Sequence, residues 1–160
     1  MTLHTIPPVF DENSKILILG SFPSVRSREE GFFYGHPQNR FWKMLSIALD
    51  TPIPQSKEEK RKLLLSNHLA LWDVIGSCEI VGSSDSSIKN AVPNDLTEIF
   101  SVAKIERIIL NGKTAEKYFN KYLSGTVSVD ALCLPSSSPA NAVCSLDRLV
   151  VEWSAALSII

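Results

Sequence analysis

The chain has little that would place it among metal, disulfide, membrane or phosphate-loop proteins. Its three cysteines, Cys78, Cys133 and Cys144, are odd in number and include no CxxC pair. This argues against a disulfide framework, a zinc site or an iron–sulfur cluster and fits a reducing cytoplasm. No apolar stretch approaches the length needed to span a bilayer, and the amino terminus has no basic segment leading into an apolar core, so no membrane association is expected. Positive charge is not in surplus: 16 Lys and Arg face 17 Asp and Glu for a net charge of -1, with a pI near 6.3. A protein of this balance does not hold nucleic acid by global charge alone. A local patch remains open to it, because Arg26, Arg28, Arg40 and Lys43 cluster around one segment. There is no GxGxxG or GxxxxGK, which removes the usual nucleotide phosphate loops, and no internal repeat.

What is present is an ordinary globular composition, with 160 residues of which 44% are apolar, enough for a real core. A single domain over 1–160 is expected. Continuous aliphatics at Lys15 to Leu19 read as a strand buried on both faces, the mark of a parallel sheet, and the apolar run Ile105 to Leu110 reads as another strand. Ala70 to Val74 reads as a short strand and Val127 to Leu134 as the last central one, stopped by Pro135. Helical patterns fall at Phe41 to Leu49, Ser56 to Asn67, Thr114 to Leu123 and Leu146 to Leu157. Ser56 with Glu59, and Asp95 with Glu98, read as capping boxes, the second opening a further helix before Ile105. The expected fold is a three-layer α/β/α domain on a mostly parallel four-stranded sheet. Gly76 to Val92, polar and rich in Ser, reads as a surface connection.

The least packing-like segment is Gly20 to Trp42, GSFPSVRSREEGFFYGHPQNRFW. A buried strand that opens into Arg, His, Asn and aromatics resembles a ligand site at a strand's carboxyl end. A second loop, LPSSSPANA at Leu134 to Ala142, follows the last strand, and Asn111 ends the Ile105 to Leu110 strand. In an open α/β sheet these loops can line one cleft.

The segments GSFPS, YGHPQNRFW, ILNG and LPSSSPANA, taken in this order, resemble the uracil-DNA glycosylase superfamily, most closely its hypoxanthine-DNA (deoxyinosine) glycosylase branch. Leu71 to Ile88, LWDVIGSCEIVGSSDSSI, is similar to that branch as well. The first motif also resembles the mismatch-specific uracil glycosylases. The resemblance implies a metal-free and cofactor-free monofunctional enzyme, a monomer that flips a deaminated base out of DNA and cuts its N-glycosidic bond. A mismatch-specific uracil glycosylase and a non-catalytic damaged-DNA-binding protein are the alternatives. Lyase chemistry would need an amine nucleophile, and no Lys occupies a matching place.

The resemblance also implies roles. Asn39 matches the critical loop asparagine, where an amide can orient water or the extruded nucleotide; the same residue can cap the following helix. Tyr34 matches the aromatic on which the flipped base stacks, and the alternative is a hydrophobic anchor for its loop, as for Phe32 and Phe33. Phe22 stands where uracil-specific relatives carry a catalytic Asn or Asp and has no lone pair for water. Catalysis then leans on the leaving base, with backbone N–H groups near Ser21 and Phe22 and the Asn111 amide taking its developing charge. Asn111 can equally be an ordinary turn residue. Ser136, Ser137, Ser138 and Asn141 match the motif that grips the DNA backbone, against a plain reading as a solvated turn. His36, beside Pro37, reads as a loop-fixing residue.

Overall fold

The computed structural model describes residues 1–158. Its strands are β1 (Thr2–Leu3), β2 (Ile16–Gly20), β3 (Leu69–Asp73), β4 (Ile75–Glu79), β5 (Lys89–Pro93), β6 (Arg107–Asn111) and β7 (Ala131–Leu134). Its helices are α1 (Val25–Glu30), α2 (Phe41–Ala48), α3 (Lys57–Ser66), α4 (Thr97–Val102), α5 (Lys113–Tyr122) and α6 (Leu146–Leu157). Four strands make the central sheet in the order β3-β2-β6-β7. The four strands pair parallel throughout, and an antiparallel bridge from Val9 to Leu71 of β3 makes the sheet mostly parallel, as expected.

The reason lies in β2, all five residues of which are buried. Ile16 and Ile18 point to one face and pack with Phe41, Met44, Leu45, Leu64, Leu149 and Trp153 of α2, α3 and α6. Leu17 and Leu19 point to the other and pack with Ile99, Ala115 and Phe119 of α4 and α5. The alternation of period two, apolar on both sides, requires a helical layer above and below, and the three-layer α/β/α fold follows.

Three expectations are corrected. Gly76 to Val92 is not merely a surface connection: β4 and β5 pair antiparallel, and β4 also pairs with β1, giving a second sheet of order β1-β4-β5. Register shifts at Ile75/Ser77 and Ser77/Glu79 break the side-chain alternation that would have revealed it. The second capping box does not form. Asp95 Oδ1 instead accepts from the N–H and hydroxyl of Thr97 at 2.9 and 2.6 Å, and α4 begins at Thr97 with no side-chain cap, because an Asx turn competes with the cap. The last strand is only Ala131–Leu134 and lies at the sheet's edge. A 3₁₀ turn at Ser124–Thr126 precedes it, and Leu132 is left 40% exposed. Among the described residues no helix is long and apolar enough to cross a membrane.

Candidate functional site

The carboxyl ends of the central strands stand side by side. Gly20 pairs with Asp73, and Asn111 with Leu134, so Asp73, Gly20, Asn111 and Leu134 form the upper edge of the sheet. A Cβ on Gly20 would lie 2.5 Å from Asp73 Oδ1 and 2.7 Å from Tyr34 Oη. Only glycine leaves the notch into which the tyrosine hydroxyl descends. Gly112 does the same for the other loop: its φ is +99° and a Cβ would meet the Ser136 Cβ at 2.8 Å.

Four of the residues singled out in the sequence meet over this edge. Asn111, 8% exposed, donates from Nδ2 to the Tyr34 hydroxyl and to Ser137 Oγ, both at 3.0 Å. Its Oδ1 accepts from the Ser137 N–H at 3.0 Å. Ser137 Oγ then donates to Asn39 Oδ1 at 2.9 Å, which also accepts from the Phe41 N–H at 2.9 Å. Asn39 is not the cap of α2, whose N-cap is Arg40 with no side-chain bond: its Oδ1 closes an Asx turn on the first helical N–H, as Asp95 does before α4, while Nδ2 has no partner among the described residues. Asn111 is no simple turn residue either, since a buried amide with three bonds to two other loops acts as their hub.

Tyr34 is held at a positive φ of 53°, a costly conformation for a bulky residue. Its ring stacks on Phe41 with centroids 4.1 Å apart. Phe33 beneath is 1% exposed and its carbonyl accepts from Trp42 Nε1 at 3.0 Å, so the anchoring reading belongs to Phe33. Burial first and the Asp73 charge second push the Tyr34 hydroxyl far above its ordinary pKa, which keeps it a neutral hydrogen-bonding group at any physiological pH. His36 fixes its loop, Nδ1 accepting from the Gln38 N–H at 3.1 Å and its carbonyl from the Asn39 N–H at 2.9 Å.

The Ser-rich loop is wired internally. Ser136 Oγ accepts from the Ser138 N–H at 3.1 Å, Ser138 Oγ from the Ala140 N–H at 3.2 Å, and Asn141 Nδ2 donates to the Ser136 carbonyl at 3.1 Å. Arg40 clamps this loop to its neighbour. Its guanidinium donates to the carbonyls of Ser138 and Asn141 at 3.1 Å each and to that of Cys144, and its N–H to the Ser137 carbonyl at 3.1 Å.

Three of the four residues of the basic patch have protein partners. Arg40 binds carbonyls, Arg26 pairs with Glu30 at 2.7 Å, and Arg28 donates to the carbonyls of Pro23 and Gly82 while lying 5.6 Å over the Phe22 ring; Lys43 is exposed on α2. Phe22 itself is 8% exposed and belongs to the core, so its side chain is a packing element and what it offers the site is its backbone. Neither the Ser21 nor the Phe22 N–H is used by the described protein.

Sequence reasoning missed two acids and a histidine. Asp85, on the 3₁₀ turn Asp85–Ser87, accepts from the Ser21 hydroxyl at 3.1 and 3.2 Å. Its residue surface is still partly open to solvent, but desolvation of the carboxylate beside Ser21, with the Asp73 charge adding to it, raises its pKa. The turn is strapped to α1 by Ser83 Oγ, which accepts from the Val25 N–H at 2.9 Å. Asp73 is 3% exposed and its Oδ2 lies 2.8 Å from His4 Nε2. A lone acid closing the apolar run LALW was the only signal for it. Among the described residues no group of three or more His, Cys, Asp or Glu is placed to hold a metal ion. A hollow of about 300 Å³ lined by Lys15, His68 and Glu106 lies at the opposite, amino-terminal end of the strands.

The chain is 38% identical over 157 residues to a hypoxanthine DNA glycosylase of Methanosarcina acetivorans, covering 97% of this chain and 98% of that one. It is 33% identical over 143 residues to a hypoxanthine DNA glycosylase of Methanosarcina barkeri, covering 88% and 89%. A solution NMR structure of a candidate uracil DNA glycosylase from Methanosarcina acetivorans superposes with a TM-score of 0.82 at 36% identity, over 95% of this chain and 94% of that one. The family model described as the uracil DNA glycosylase superfamily matches residues 7–154, and with the sheet-edge site that these residues build, the chain belongs to that superfamily.

Proposed function

We propose that the protein is a monofunctional DNA glycosylase that flips deaminated bases, chiefly hypoxanthine, out of DNA and hydrolyses their N-glycosidic bond, acting as a single-domain cytoplasmic monomer. The observation that carries this reading is the chain of hydrogen bonds Tyr34–Asn111–Ser137–Asn39, which holds a stacking ring and a free amide donor in fixed relation at the carboxyl edge of the sheet. The relatives at 38% and 33% identity named hypoxanthine DNA glycosylase support the substrate.

In this reading the extruded base stacks on Tyr34, backed by Phe41. A base on an aromatic face is worth about 1–3 kcal/mol and does not itself choose the base. The bond from the anomeric carbon to the base nitrogen breaks with its electron pair leaving on the base. The unused Ser21 and Phe22 N–H groups take that developing charge, as an oxyanion hole does. Asn39 Nδ2 orients the water whose hydroxyl adds to the anomeric carbon, the proton passing to solvent or the departing base. An amide is no strong base, so the barrier is lowered mainly on the leaving side. Asn111 reaches the base edge only by exchanging one of its present partners. Ser136, Ser138 and Asn141, in a loop of fixed shape, contact flanking phosphates through hydroxyls and main-chain groups, as a nearly neutral protein must; Ser137, also expected to grip the DNA backbone, is fully buried and belongs to the frame beneath them.

The test is base release from end-labelled duplexes carrying one hypoxanthine or one uracil, in EDTA, with alkali to break abasic sites. Alkali-dependent cleavage at hypoxanthine, with much less at uracil, is expected. Cleavage confined to uracil mismatches makes it a mismatch-specific uracil glycosylase, and cleavage at neither makes it a binding protein. Asn39→Ala is expected to abolish release, by about 100-fold or more, while leaving DNA binding in place. Retained release would remove Asn39 from catalysis.

A further inference from the structure

At the sheet edge, Asn111 and Ser137 bind one another and their neighbours, whereas Asp73 keeps one oxygen in reserve. It ends β3 beside Gly20 and is 3% exposed, yet the protein uses only its Oδ2, held 2.8 Å from His4 Nε2. His4 is itself fixed. Its side chain is 1% exposed, it packs among the rings of Phe22, Phe33 and Trp72 at centroid distances of 6.0 to 6.1 Å, and its N–H donates to the Gly76 carbonyl at 2.8 Å. Clamped in this way, the carboxylate keeps Oδ1 turned to the Gly20 notch and the Tyr34 hydroxyl. Oδ1 accepts no hydrogen bond from the described protein. Oδ1 is not among the buried side-chain atoms left without a partner, so the small exposure of Asp73 leaves this oxygen open at the notch for an incoming donor, and unused donors on the loop that follows Gly20 include the N–H groups of Ser21 and Phe22.

An unused acceptor near unused donors matches a ring edge that presents N–H next to C=O. We propose that Asp73, clamped by His4, is the specificity residue that accepts the ring N–H of a deaminated base while the neighbouring carbonyl meets the Ser21 or Phe22 N–H. This rests on the glycosylase reading above and gives it a selection rule. Deamination of adenine or cytosine replaces a ring nitrogen lone pair beside an amino group with an N–H beside a carbonyl. An amide such as that of Asn111 can turn to face either pattern, but a carboxylate only accepts. Adenine and cytosine would bring a lone pair against Asp73, in a buried place where two facing acceptors repel and neither is satisfied. Hypoxanthine, uracil and xanthine all carry the required N–H, as do guanine and thymine, so Asp73 separates hypoxanthine from adenine and uracil from cytosine, and leaves the choice among bases that share this edge to the rest of the pocket.

The test compares single-turnover release by the wild-type protein and Asp73→Asn from duplexes carrying hypoxanthine or N1-methylhypoxanthine, each opposite the same abasic analogue so that pairing is equal. The expected result is that Asp73→Asn, melting within a few degrees of wild type, releases hypoxanthine at least about fivefold more slowly. Wild type should release the N1-methyl base about 100-fold more slowly than hypoxanthine. A loss under fivefold in the variant, or comparable release of the methylated base by wild type, overturns the proposal. If Asp73→Asn does not fold, the methylated base alone decides. His4→Gln, which keeps an N–H for Oδ2, should retain more hypoxanthine release than His4→Ala, and equal losses would remove the clamp. A wild-type protein that releases no base from any duplex refutes the glycosylase reading itself, an outcome distinct from all of these.

Discussion

The two sides of the sheet edge are built on opposite plans. On one side the loops around Asn39 and Ser137 satisfy nearly all their side-chain groups, the Asn39 Nδ2 excepted: Arg40 binds three carbonyls, Asn111 makes three bonds, and the serines close their own turns. On the other side, where Gly20 gives way to Ser21 and Phe22, two N–H groups and an oxygen of Asp73 are unused, while desolvation, with a smaller addition from the Asp73 charge, raises the pKa of Asp85. The first plan makes a rigid frame without needing net positive charge; the second leaves hydrogen-bonding capacity for something that arrives. A frame that is nearly satisfied can hold a strained tyrosine at φ 53°, and a face that is not satisfied has a reason to bind.

The contrast is broken most severely at the hub. Asn111→Ala strands the Ser137 N–H and takes a donor from the Tyr34 hydroxyl and from Ser137 Oγ, which keeps its bond to Asn39, and is expected to cost about 3–4 kcal/mol of stability in urea unfolding. It should also alter the ratio of hypoxanthine to uracil release if this amide reads the base, and equal losses on both would confine it to the frame. Arg40→Ala removes the clamp and should cost about 2–3 kcal/mol. Arg40→Lys should recover little of that, because a single ammonium does not reproduce the planar fork; full recovery by Lys would show that charge rather than geometry holds the loops. Gly20→Ala drives a methyl against Asp73 Oδ1 and Tyr34 Oη, and about 1–3 kcal/mol of destabilisation is expected, with a melting temperature unchanged from wild type refuting the notch.

The smallest effect sharpens the open side. Asp85 has its pKa raised in the folded protein, so the native state binds this proton more tightly than the unfolded chain. Stability from this group is then lost as pH rises from the ordinary carboxylate value of 3.8 through the raised one, and is level beyond it. Asp85→Asn should lack that decline. Urea midpoints measured across the acid range should therefore draw apart with rising pH, wild type falling relative to the variant, and parallel curves would show the carboxylate to be as well solvated as in the unfolded chain.

Legibility followed the range of the interactions. The five-residue core of β2 and the helices on either side were readable because burial on two faces writes itself into consecutive aliphatics. The hairpin of β4 and β5 was not, because its bulges spoil the alternation and its partner strand is two residues at the far amino terminus. Tyr34, Asn39, Asn111 and Ser137 could be named from motifs, but not that one hydrogen-bonded chain would join them. Arg40 and Arg28 look in sequence like cations for phosphate and are instead internal donors to carbonyls up to 104 residues away. Asp85 hid in a serine-rich stretch with no period to mark it.

By itself, then, the sequence determined the parallel three-layer architecture and the residue types gathered in two loops, because apolar periodicity and strand-ending glycines act locally. Only the tertiary structure decided which polar groups are used up and which are left free. His4 meets Asp73 across 69 residues and Asn39 meets Ser137 across 98, and no local rule sets a hydrogen bond between residues that the packing of the sheet brings together.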